Sequence, residues 1–165
     1  MVLLNIIWLG IMNKKVAILG KLSTRYDAPF GDKEYDIWSV NRRPNESPLP
    51  RCDKWFDLHF VPFTAGQDFT RDNFPFEEID NMLGGHYFNN SISYVIAYAV
   101  YMGYKEIALY GMNFSTIAEQ NLKQYENVRE LIFFAKGKGI KVTAPSDEIM
   151  LKQYPEYTQE YVRNR

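Results

Sequence analysis

The chain has almost no cysteine, almost no histidine and almost no net charge, and each scarcity removes a class of function. A single thiol, Cys52, excludes an internal disulfide and a thiolate zinc site, and it suits a reducing cytoplasm. Two histidines, His59 and His86, are too few for a histidine-rich metal centre, so neither a metal nor a cofactor is expected. A formal charge of -1 leaves no basic footprint of the kind that dominates nucleic-acid affinity, and polymeric DNA or RNA is not an expected partner. The apolar run Met1–Met12 carries no basic leader and no small-residue cleavage pattern. It also falls short of the ~20 apolar residues a membrane span needs, so neither targeting nor membrane insertion is expected of it. No P-loop, Gly-x-Ser-x-Gly elbow, HExxH or EF-hand pattern occurs, which removes support for the chemistries those motifs carry.

What is present is a core. A length of 165 residues with 46% hydrophobic side chains suits one domain over 1–165, with residues 1–11 an upstream extension or an extra edge strand and 154–165 a tail. Aromatic residues make up 16% of the chain, enough to pack a core and leave ring faces for a flat ligand. Val16–Leu19, stopped by Gly20, and Ile107–Tyr110, stopped by Gly111, read as strands buried on both faces, as in parallel sheets. Tyr35–Val40, Lys54–His59 and Ile140–Ala144 are further strands, and Pro62 to Asn73 reads as loop. Helices are expected over Phe76–Leu83, from Ser91 to Met102, over Leu122–Lys138, and after the cap Ser146. Strands alternating with helices imply a Rossmann-like three-layer α/β sandwich with a mainly parallel sheet and right-handed crossovers. Tyr154, Tyr157 and Tyr161 form a packing stripe, and with the apolar N-terminus they leave surface that a homo-oligomer would cover.

In an open parallel sheet, ligands sit beyond the carboxyl ends of the strands, and that rule picks the candidates. After the first strand, Gly20 allows close approach to the backbone while Lys21, Ser23 and Arg25 can bind phosphate oxygens, although no GxGxxG pattern is present. Asn41 ends the second strand with an amide suited to reading a base or a sugar hydroxyl, beside Arg42 and Arg43. Asn89, Asn90 and Ser91 stand at the positive end of the apolar helix, the best anion site in the chain. His59 ends the third strand two residues after Asp57, a carboxylate able to orient an imidazole acting as general acid or base. His86, in a Gly-Gly-His-Tyr loop that can close over a ligand, is a second catalytic candidate. Tyr125 and Arg129 read as a solvated helix face.

Asn90-Ser91, the apolar helix, and then Gly103 to Phe114 (GYKEIALYGMNF) resemble the core of the bacterial sialyltransferase family that contains the Campylobacter lipooligosaccharide enzymes. The same stretch is similar to pterin-pyrophosphokinase-like domains and to small phage-borne proteins of unassigned function. The likeness extends to Lys15–Gly20, Tyr35–Asn41 and Gly139–Pro145. It implies a cytidine-monophosphate sugar as donor, with Gly20 and Ser23 by the nucleotide phosphate, Asn41 near the transferred group or phosphate, and Asn90 and Ser91 near the donor sugar. Two departures accompany it. Gly20-Lys21-Leu22-Ser23 stands where that family has Asn-Gly-Pro-Ser, and the interval Asn113–Gly139, where the family carries its general-base histidine, contains none. The expected partner is therefore a nucleotide or nucleotide sugar. Either a glycosyltransferase-like enzyme using His59 or His86 or a module that sequesters the ligand would fit.

Overall fold

The computed structural model describes residues 14–85, 88, 90–112 and 119–144. Residues 1–11, His86, Asn89, the helix expected after Ser146 and the tyrosines of the tail lie outside them. Among the described residues, six strands, β1 (Lys15–Leu19), β2 (Tyr35–Val40), β3 (Lys54–Asp57), β4 (Phe69–Thr70), β5 (Glu106–Tyr110) and β6 (Lys141–Thr143), form one sheet in the order β4-β3-β2-β1-β5-β6. Every neighbouring pair is parallel, with Ala17 opposite Ile37 on one side and Ala108 on the other. The fold is thus Rossmann-like α/β with an all-parallel sheet.

Among the described residues, three helices, α1 (Phe76–Leu83), α2 (Ser91–Tyr101) and α3 (Glu119–Gly137), supply the long connections. The expected boundaries hold to within a few residues, with two differences. The third strand ends at Asp57, so His59 stands beyond it in a bend, and the segment read as loop before α1 contains β4. A two-residue strand paired through Phe56–Phe69 and Asp57–Thr70 is too short to leave a periodic signal.

The strand order explains the layering. The chain runs outward from β1 to β4, then crosses back to β5 and on to β6. Right-handed crossovers place connections running in opposite directions on opposite faces of a sheet. Accordingly α1, α2 and α3 cover one face, where Ile79, Val95 to Ala99, and Val128, Leu131, Ile132 and Ala135 meet Val16, Ile18, Trp38, Phe56 and Leu109. The other face, presenting Ala17, Leu19, Ile37 and Ala108, is covered by the β1–β2 and β2–β3 connections through Ala28, Phe30 and Leu49. That layer contains a 3-10 turn, Ser23–Asp27, and otherwise loop, and two of the sheet residues beneath it are alanines.

Aromatic content is concentrated on the helical face. Trp38 is fully buried, with the rings of Phe56, Tyr98 and Tyr104 at 5.4, 5.5 and 5.0 Å. Each such pair contributes about 0.5–1.5 kcal/mol beyond its area burial. Helix α2 lies over this cluster, and its nearly all-apolar surface follows from burial between the sheet and α3.

Candidate functional site

The reversal of strand order falls between β1 and β5, and the two chains leaving those strands are locked together. The Gly20 N–H donates to the Tyr110 carbonyl (2.8 Å), the Leu22 N–H to the Gly111 carbonyl (3.0 Å), and the Gly111 N–H to Thr24 Oγ1 (3.0 Å). A Cβ on Gly20 would lie 2.2 Å from the Gly111 oxygen, and one on Gly111, which has φ +66°, would lie 2.9 Å from Arg25 Cβ and the Leu22 oxygen. Both glycines are therefore required by the packing of one loop on the other, whatever binds beside them.

Above this junction a cavity of about 920 Å3 opens, within the size range of small-molecule sites. Six residues expected at a site, Gly20, Lys21, Asn41, His59, Asn90 and Ser91, line it together. Ser23 and Arg25 do not. Ser23 is exposed at the start of the 3-10 turn, and Arg25 is turned inward with 2% exposure. His86 and Asn89 lie outside the described residues.

Arg25 is buried because it has an internal partner. Its Nη1 donates to Glu46, and Lys21 Nζ reaches both Glu46 carboxylate oxygens at 2.9 Å, as does the Arg43 N–H one of them at 3.1 Å. Burial raises the Glu46 pKa, but the hydrogen bonds from Lys21, Arg43 and Arg25 outweigh it and hold the carboxyl below its ordinary value. Burial likewise pulls the Lys21 ammonium down, against the pull of Glu46 in the other direction. The cations expected to meet a phosphate after β1 are thus bound to a carboxylate of the β2–β3 connection. Arg42 and Arg43 lie over the rings of Trp55 and Phe63, at 5.6 and 5.7 Å.

The third strand end is organised differently. Asp57, with no exposure at all, accepts the Phe63 N–H at 2.7 Å on Oδ2 and the His59 N–H at 3.3 Å on Oδ1. Its Oδ1 also lies 2.7 Å from His59 Nδ1, and the His59 side chain is 45% exposed. A buried carboxylate on Nδ1 selects the tautomer with Nδ1–H and leaves Nε2 as acceptor, the arrangement of an oriented general base. The Phe63 ring, edge-on at 4.8 Å, fixes the imidazole from the side.

Asn41 ends β2 with φ +54°, a left-handed conformation that asparagine tolerates better than most residues, while its N–H donates to the Phe56 carbonyl at 2.7 Å. Its Oδ1 is buried, with no hydrogen-bond partner among the described residues. A buried amide oxygen left so is destabilising until a donor reaches it. At α2, Asn90 is the N-cap: Oδ1 accepts the Ser93 N–H at 2.9 Å and Nδ2 donates to Ser93 Oγ at 2.9 Å. Capping therefore accounts for those two bonds, and the N–H groups of Ser91 and Ile92 have no partner within the helix. Both residues line the cavity.

Sequence reasoning did not single out Arg71, Asp80 or Tyr94, which also line the cavity. Arg71 follows the two-residue β4 directly, so nothing marked it as a strand end. Arg129 is exposed on the outer face of α3, its guanidinium lying over the rings of Tyr125 and Phe133, whereas Tyr125, expected on the same solvated face, is partly buried against the core. Among the described residues, no group of three histidine, cysteine, aspartate or glutamate side chains could hold a metal ion, and no helix is long and apolar enough to cross a membrane. The Cys52 thiol, which burial pushes up to about 12, lies away from this cavity. Comparison of the chain with protein-family models, with curated proteins and with solved structures finds no match in any of the three.

Proposed function

We propose that this chain binds a nucleotide or nucleotide-linked sugar across its strand ends and transfers the linked group to an acceptor, with His59 as general base. The observation that carries the reading is that His59, backed by buried Asp57, opens on the same cavity as Asn41 and Ser91. A site for sequestration alone has no use for an oriented imidazole at that place. The Asn41 Oδ1 would accept from a hydroxyl or amino group of the ligand, and the first N–H groups of α2 would meet its phosphate. In the transfer, an acceptor hydroxyl gives its proton to His59 Nε2 while its oxygen bonds to the transferred group. The bond from that group to the phosphate oxygen breaks, and the nucleotide leaves with the electron pair. Helix N–H groups stabilise the charge that develops on it. The resemblance of Ser91–Phe114 to the sialyltransferase core supports the donor class, and His59, in the bend beyond β3, stands in for the base that family carries on its lid.

A thermal-shift panel of cytidine, uridine and adenine nucleotides and their sugar conjugates tests the reading. One nucleotide class is expected to raise Tm, since a ligand at 100 times its Kd stabilises by about 2.7 kcal/mol. Conversion of its sugar conjugate is expected to fall by roughly 100- to 10,000-fold in His59→Asn with the Tm shift retained. No shift with any nucleotide would remove the ligand class, and unchanged turnover in His59→Asn would remove the base.

A further inference from the structure

The cavity extends along a row of strand ends. It passes the ends of β4 at Arg71, β3 at His59, β2 at Asn41, β1 at Gly20 and β5 at Gly111. Five adjacent strand ends span four interstrand spacings of ~4.8 Å, or ~19 Å. Of the features assigned to the nucleotide, Asn41 follows β2, in the middle of this row, and Gly20 and Gly111 stand on the side of it away from β4. His59, after β3, stands between Asn41 and Arg71.

Charge separates the two ends. Lys21 and Arg25, at the β1 end, are bound to Glu46. Arg71 has no carboxylate partner among the described residues, and its guanidinium carbon lies 4.0 Å from the centre of the Phe60 ring. Phe60 is 83% exposed, so this ring holds the guanidinium by its face at the protein surface. A guanidinium stacked on its face keeps its N–H edges free, and those edges match two oxygens of a carboxylate or phosphate. The wall beside it is aromatic and carries both signs of charge. Phe76 and Tyr94 meet edge to face at 4.9 Å, and Asp80 stands on α1. Burial and the Asp80 carboxylate push the Tyr94 phenol up, and the Arg71 guanidinium draws it back.

We infer that the β3–β4 end of the cavity is an acceptor subsite for a small molecule bearing an oxyanion, gripped by Arg71 and set with its hydroxyl against His59. The inference rests on the two-substrate reading above and names the chemistry of the second substrate. Phe60 is a positioning residue for Arg71.

Calorimetry on the full chain, with inorganic phosphate and malonate as separate probes, with and without a saturating nucleotide, tests it. At least one probe is expected to bind equally well with the nucleotide present. Arg71→Ala is expected to weaken that probe by roughly 10- to 100-fold, the worth of one or two charge-assisted hydrogen bonds, and to leave nucleotide affinity within about twofold. Arg71→Lys is expected to recover part of the loss and Phe60→Ala to reproduce part of it. The tighter of the two probes identifies the oxyanion as phosphoryl or carboxylate. Competition between probe and nucleotide, failure of both probes, or loss of nucleotide rather than probe binding in Arg71→Ala would each overturn the subsite. Arg71-dependent probe binding by a protein that binds no nucleotide would sustain the anion site and remove the nucleotide reading alone.

Discussion

The loop after β1 and the loop after β3 leave the same edge of the sheet and use their polar residues in opposite ways. After β1, Lys21 and Arg25 converge on Glu46 while Gly20 and Thr24 fasten the loop to Gly111. After β3, Asp57 is buried and accepts several hydrogen bonds, but the imidazole it orients lines the cavity and the neighbouring Phe60 is exposed. A cation near a strand end thus acts on a ligand only if the fold has not already given it a partner.

This contrast predicts that substitutions in the first loop act on stability and those in the second on function. Gly20→Ala is expected to have the largest effect, about 3 kcal/mol or more in denaturant melts, because a backbone oxygen at 2.2 Å cannot move aside without breaking the β1–β5 junction. Retention of wild-type stability would mean that the two loops are not packed together. Glu46→Gln is expected to cost about 2–3 kcal/mol by leaving the nearly buried Arg25 without its counter-charge. The sign of its pH dependence follows from the depressed carboxyl. Stability from Glu46 is complete above the ordinary glutamate value and is lost as pH falls through the lower folded value. Melts from neutral to acid pH should therefore show a shallower acid arm in Glu46→Gln than in wild type. An unchanged acid arm would place the acid sensitivity elsewhere. His59→Asn is expected to cost about 0.5–1.5 kcal/mol, since its ring is half exposed and lies outside the core and the substitution removes one hydrogen bond to Asp57. A larger loss in the same melts would make the histidine part of the scaffold.

Much of the fold is legible in the sequence because strands buried on both faces leave continuous apolar runs, as Val16–Leu19 and Ile107–Tyr110 do. β4 leaves no such trace, and with it Arg71 escaped notice, since two residues cannot show a period. The site was partly legible through the strand-end rule, which brought Gly20, Asn41, His59 and Ser91 to one cavity. Local sequence could not reveal that Arg25 is claimed by a glutamate 21 residues away, or that Gly20 faces Gly111 across the sheet. Those facts depend on tertiary pairing. The Asp57–His59 contact was more accessible, because alternation along a strand puts residues two apart on one side, and the bend after Asp57 closes the remaining distance.

The central claim is that the imidazole of His59 faces the bound ligand. With two histidines in the chain, the ring resonances are few, and loss of one set in His59→Asn assigns the other to His86. Titration of the wild-type protein with the nucleotide that raises Tm, followed by the ring carbon and nitrogen shifts, reads the site directly. The His59 Nε2 and Cε1 signals are expected to move in step with saturation. Saturating nucleotide that moves the backbone amides of Ser91 and Ile92 and leaves the His59 ring unchanged would contradict the account.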